Sequence, residues 1–126
     1  MGLRLLVADD NETLRIGIRS LIGTKQDWQI CGEASNGEEA VALVRALLPD
    51  VIILDLTMPL VNGFEAAGVI RRIAPAIKII MFSVHEVPVI AREVGADAFV
   101  YKGSSANELI TTIERVTSQD VAGLGN

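Results

Sequence analysis

The stretch Val51-Ile52-Ile53-Leu54-Asp55 constrains the fold more than any other part of the chain. Four consecutive apolar residues read as a short strand buried on both faces, the pattern of a parallel sheet covered by helices on each side. The run ends in a carboxylate, which the middle of such a strand would not tolerate. Pro59 and then Asn62-Gly63 turn the chain directly afterwards. Asp55 is therefore expected at the carboxyl end of a central strand, at the mouth of a loop. Open α/β sheets place their chemistry there.

The rest of the chain repeats this unit. Leu3 to Ala8 reads as a first strand ending in Asp9-Asp10. Asn11 then caps a helix with Leu14, Ile18, Leu21 and Ile22 on one face. Trp28 to Ser35 is a second strand, and Asn36 with Glu39 forms a capping box for a helix that Pro49 stops. After the central strand, a helix begins at Gly63 and ends by Pro75; Lys78 to Phe82 is a fourth strand terminating at Ser83. Pro88 suits the first turn of a short helix closed by Gly95. Asp97 to Tyr101 is a fifth strand ending at Lys102, and Ser105 with Glu108 opens a last helix carrying Leu109, Ile113 and Val116. Five strands alternating with five helices across short connections predict an α/β fold, a doubly wound parallel sheet with right-handed crossovers. The domain is expected over residues 1–118, with 119–126 as a flexible tail or linker stub.

Length and charge narrow the function. A chain of 126 residues makes one domain with a single core. A net charge of −5, with Arg71-Arg72 as the only basic cluster, argues against direct contact with nucleic acid. No apolar run approaches the roughly 20 residues that span a bilayer, and Leu6 stands where a myristoylation signal wants Ser or Thr. No signal peptide is visible. The lone Cys31 suits a reducing cytoplasm, which is the expected location.

Asp9 and Asp10 follow the first strand, Asp55 the third, Ser83 the fourth and Lys102 the fifth. In a parallel sheet all of them lie on one edge. With strand order 2-1-3-4-5, the first and third strands are neighbours and the three aspartates converge. Two carboxylates about 4 Å apart repel by roughly 4 kcal/mol at an effective dielectric near 20, and Lys102 alone leaves excess negative charge. An oxygen-only set without His or Cys favours Mg²⁺ or another hard divalent ion. Asp55 is then a candidate nucleophile toward phosphorus, with Lys102 and Ser83 as candidates to meet the phosphoryl oxygens. Taken singly, Asp10 is a structural turn or cap residue, Ser83 a turn residue and Lys102 a surface charge; four strands each ending in the needed residue type make the pattern.

Asp9-Asp10, Asp55 with Met58-Pro59 and Gly63, Ser83, Gly95-Ala96-Asp97, and Phe99 with Lys102 resemble the receiver domain of bacterial two-component response regulators, over the chain to about Ser118. The resemblance implies the flavodoxin-like fold and an Asp55 that takes phosphate from a sensor histidine kinase or a small phosphodonor. It implies Mg²⁺ held by Asp10, Asp55 and the Thr57 carbonyl, with Asp9 acting through water, and Ser83 with Phe99 as a switch pair. Such a protein is a signalling phosphoacceptor rather than an enzyme; a homodimer is a further expected partner. Gly95 to Ser105 most resembles receivers followed by a helix-turn-helix output domain, through which alone DNA would be reached. That points to transcriptional control.

The chain departs from the family pattern at three places. Phe99 stands for the commoner tyrosine, so the switch would rest on packing alone. Gly103 stands where many members have proline; a cis bond there would cost about 3 kcal/mol, and the isomer stays open. Only twelve residues separate Ser83 from Gly95, which predicts a helix of about two turns from Val87 to Val94 and a dimer or domain contact leaning on the first and last helices. His85 reads as a solvated loop residue, or else as a neighbour of the phosphoryl group that affects water access. Cys31, Trp28 and Met58 read as packing residues. Two rivals are weighed: an aspartyl-phosphate phosphatase, which commonly carries an acid where this chain has Thr57, and a pseudo-receiver that binds partners unphosphorylated, which usually lacks one of the acids or the lysine.

Overall fold

The computed structural model of the chain describes residues 2–58, 60–84, 93 and 95–125. Five strands, β1 (Leu3–Ala8), β2 (Trp28–Ala34), β3 (Val51–Asp55), β4 (Lys78–Ser83) and β5 (Ala98–Tyr101), form one sheet in the order β2-β1-β3-β4-β5. Every pairing is parallel. The described helices are α1 (Glu12–Ile22), α2 (Gly37–Leu47), α3 (Gly63–Ile73) and α4 (Ala106–Gly125).

Alternation along the strands sends side chains into two cores. Leu6 and Ala8 of β1, Ile52 and Leu54 of β3, and Ile79 and Met81 of β4 pack with Ala40, Val44, Ala66 and Ile70 of α2 and α3. Leu5, Val7, Val51, Ile53 and Ile80 pack on the other face with Ile18 and Ile22 of α1 and with Leu109, Ile113 and Val116 of α4. All five residues of β3 are buried, as a strand with helices on both faces requires. Between β1 and β2 the register slips once: Leu5 faces Ile30 and Leu6 faces Gly32, so Cys31 is the extra residue of a bulge in the edge strand.

Three asparagines start three helices. Asn11 accepts from the Leu14 amide at 3.1 Å, Asn36 from Glu39 at 2.7 Å and Asn62 from Glu65 at 3.0 Å. Each cap places a helix N-terminus just beyond the carboxyl end of a strand, so the loops gather on one sheet edge. The reading of His85 and, Glu93 apart, the short helix expected from Val87 to Val94 fall on residues outside the described ones. The α4 backbone runs past residue 118 to Gly125. No cis peptide bond occurs among the described residues, so Gly103 follows Lys102 in trans.

Candidate functional site

Register carries the two acidic strand ends to one place. Ala8 pairs with Leu54 across β1 and β3, so the next residues, Asp9 and Asp55, stand level. Carboxylate oxygens of Asp9, Asp10 and Asp55 lie within 4.8 Å of one another. Asp9 and Asp55 are buried, at 2% and 5% exposure, while Asp10 opens to solvent.

Lys102 brings an ammonium to these carboxylates. Lys102 Nζ lies 2.7 Å from Asp9 Oδ2 and 3.2 Å from Asp55 Oδ1. Its ammonium lies over the Phe82 ring, 5.7 Å from the ring centroid. The other Asp9 oxygen accepts from the Asn11 amide at 2.9 Å, and Asp55 Oδ1 accepts from the Thr57 amide at 3.4 Å. Burial pushes the Asp55 carboxyl up and the Asp9 charge adds to it, against the pull of Lys102 and the Thr57 amide. Burial draws Lys102 down, but its hydrogen bond to Asp9 and the nearby Asp55 charge outweigh this and leave it raised. Three carboxylates against one ammonium keep a net negative charge in a largely buried cleft. That donor set, all oxygen with one ligand exposed for entry, fits a hard divalent cation.

Ser83, buried at the end of β4, lies at the same sheet edge, and its carbonyl accepts from the Lys102 amide at 2.6 Å. Phe99 lies on β5, an edge strand of the sheet. It faces Met81 across β4 and β5, and Ser83 faces Tyr101, so Phe99 and Ser83 share one sheet face two residues apart in register. Thr57 is exposed at the start of the loop. A groove of about 690 Å³ between α1 and the start of α4, lined by Leu14, Leu21, Phe82 and Leu109, borders the cluster at Asn11 and Lys102.

Three contributors escape the sequence. Asn11 reads as a helix cap, yet its amide also holds Asp9. Arg15 Nη1 donates to the Asp9 carbonyl at 2.7 Å while its Nε pairs with Glu33 at 3.2 Å; nothing in the helical pattern marks it. Gly37 is buried at the start of α2 against the loop that follows Asp55. A glycine where alanine is the better helix former was the available signal.

Comparison with known proteins agrees with this geometry. A family model described as the response regulator receiver domain matches residues 5–114. The response regulator protein VraR of Staphylococcus aureus is 33% identical over 120 residues, covering 93% of this chain and 57% of VraR. The chain thus spans little more than half the length of the curated relatives it matches. A two-component response regulator of the LuxR family from Aurantimonas sp. superposes with a TM-score of 0.90 at 33% identity, covering 94% of this chain and 87% of that one. The receiver domain of the response regulator NarL from Mycobacterium tuberculosis gives a TM-score of 0.86 at 29% identity, with 93% and 97% covered. No described helix is long and apolar enough to cross a membrane.

Proposed function

The chain belongs to the response regulator receiver domain family, and on that premise we propose that Asp55 is its phosphoacceptor. Phosphorylation on an aspartate is the family's general property, and its role is signalling rather than metabolic catalysis. The observation that carries the assignment is the position of Asp55: the one aspartate of the cluster that ends the fully buried central strand, 3.2 Å from Lys102.

A carboxylate oxygen of Asp55 attacks phosphorus, an O–P bond forms, and the phosphohistidine P–N bond of a sensor kinase breaks. The imidazole nitrogen leaves with the electron pair; with acetyl phosphate the leaving group is acetate. Asp9, Asp10, Asp55 and the Thr57 carbonyl would hold Mg²⁺, which neutralises charge on the phosphoryl oxygens when bound. Lys102, already poised between Asp9 and Asp55, follows the new negative charge onto a phosphoryl oxygen. Ser83 donates its hydroxyl to another, and Phe99, on the same sheet face, responds through packing.

Residues 1–118 constitute the receiver, and 119–126 lead away from it. Likeness to LuxR-family response regulators supports a transcriptional role, with DNA reached through an output domain and a homodimer as a further partner; a reducing cytoplasm, which suits the lone Cys31, is the location that goes with it. Incubation with acetyl phosphate and Mg²⁺ tests the core of this reading by intact mass. Wild type gains one phosphoryl group and Asp55→Asn gains none. Equal gain in the variant contradicts it.

A further inference from the structure

The chain leaves the end of β3 at Leu56 and enters α3 after Asn62, and two glycines with no room for a side chain press on it at Leu56 and Val61. A methyl on Gly63 would fall onto the Asp55 carbonyl oxygen and lie 2.7 Å from Leu56 Cα. The Gly63 amide itself donates to the Leu56 carbonyl at 3.0 Å. The second contact comes from far away in sequence. A methyl on Gly37, the first residue of α2, would fall onto the Val61 carbonyl oxygen, 2.6 Å from its carbon and 2.9 Å from Val61 Cβ.

Gly37 has no left-handed φ, so its backbone would accept alanine, and alanine is the better helix former. Close approach is therefore what calls for glycine here. The helix side of this contact is fixed. Asn36 accepts from the Glu39 amide and Glu39 accepts from the Ser35 amide, each at 2.7 Å, which locks the first turn. The loop side carries strain: Leu60 adopts a φ of 66° with its side chain 75% exposed. That side chain is largely exposed, so its burial does not offset the strained conformation.

We infer that Gly37 is a positioning residue for phosphorylation: by pressing on Val61, the first turn of α2 sets the path of the loop and so the place of the Thr57 carbonyl. The inference rests on the proposed Mg²⁺-dependent chemistry at Asp55. Gly37 is not one of the residues that would hold the metal, and it acts through its contact with Val61.

Thermal melts in EDTA and across a Mg²⁺ series give the metal affinity through linkage, for wild type, Gly37→Ala and Gly68→Ala. Gly68, in α3, has nothing within 4 Å of an added methyl and serves as the control. Gly37→Ala is expected to weaken Mg²⁺ affinity at least tenfold and to slow phosphorylation by acetyl phosphate at limiting Mg²⁺, with high Mg²⁺ restoring the rate. Gly68→Ala should match wild type in both. A Gly37→Ala protein that melts lower in EDTA and in Mg²⁺ alike, with an unchanged Mg²⁺-induced rise, would show a merely structural glycine and overturn the inference. A second measurement needs no variant to fold: in wild type, Mg²⁺ alone should shift the Gly37 amide resonance along with Thr57 and Val61, leaving Gly68 in place. An unmoved Gly37 amide overturns the inference while leaving Asp55 as acceptor. A wild type showing no Mg²⁺-induced rise overturns the site reading as well.

Discussion

Because burial and the Asp9 charge raise the Asp55 carboxyl above its ordinary value of 3.8, folding favours the protonated form of this residue. The stability that Asp55 contributes is present below the unfolded value and is lost as pH rises through the higher folded one. At neutral pH without metal, ionised Asp55 therefore weighs against the fold. Asp55→Asn is expected to melt above wild type in EDTA at pH 7, and the gap should close as the pH is lowered toward 3.8 and below. Melting curves of both proteins over that range check it; an Asp55→Asn protein that melts lower at pH 7 contradicts it. Lys102 acts in the opposite sense, since its ammonium pairs with the buried Asp9 carboxylate at 2.7 Å. Lys102→Met should lower stability by about 3 kcal/mol, the low end for breaking a buried pair because the lysine keeps some contact with solvent. Mg²⁺ should recover part of that loss in the same melts. The sequence exposes these charges because each follows an apolar strand. Asn11, Arg15 and Gly37 are hidden in it because their roles exist only once β1, α1 and α2 have met the loop.

At the scale of elements, strand order and helix caps are legible because hydrophobic runs and asparagines declare them. The small misses at strand ends have side-chain causes. β2 stops at Ala34 rather than Ser35, whose amide is taken by Glu39 at 2.7 Å. β5 starts at Ala98 rather than Asp97, whose carboxylate accepts from the Ile79 amide at 2.8 Å and from Arg71 at 2.7 Å. Arg71 is the larger surprise, since the sequence marks Arg71-Arg72 only as a basic cluster. Its guanidinium also donates to the carbonyls of Gly95 at 2.6 Å and of Pro75 and Ile77 at 2.9 Å. It thereby ties the end of α3 to the starts of β4 and β5. Arg71→Met keeps the stem and loses the fork. With several charge-assisted bonds removed at once, the expected cost is about 3 kcal/mol, or roughly 10 °C in melting temperature for a domain of this size. The exposed Arg72 supplies the control. Arg72→Met should melt within about 2 °C of wild type, and equal losses in the two variants would refute the clamp.

On the scale of the whole molecule, a parallel sheet collects every strand end on one edge, and that edge holds three carboxylates and one ammonium within a few ångströms. The convergence follows from topology, which is why a chain of short apolar runs could announce it. What topology leaves unsaid is the path of the loop that completes the site, since that depends on contacts such as Val61 with Gly37. The account stands or falls on which residue carries the phosphoryl group. Acyl phosphates are reduced by borohydride, so treating the phosphorylated domain with borohydride and sequencing its peptides by mass spectrometry locates the modified carboxylate directly. The account predicts one modified position, Asp55, with the label absent when Mg²⁺ is replaced by EDTA. A label on Asp9 or Asp10, or one that forms equally well in EDTA, would contradict it.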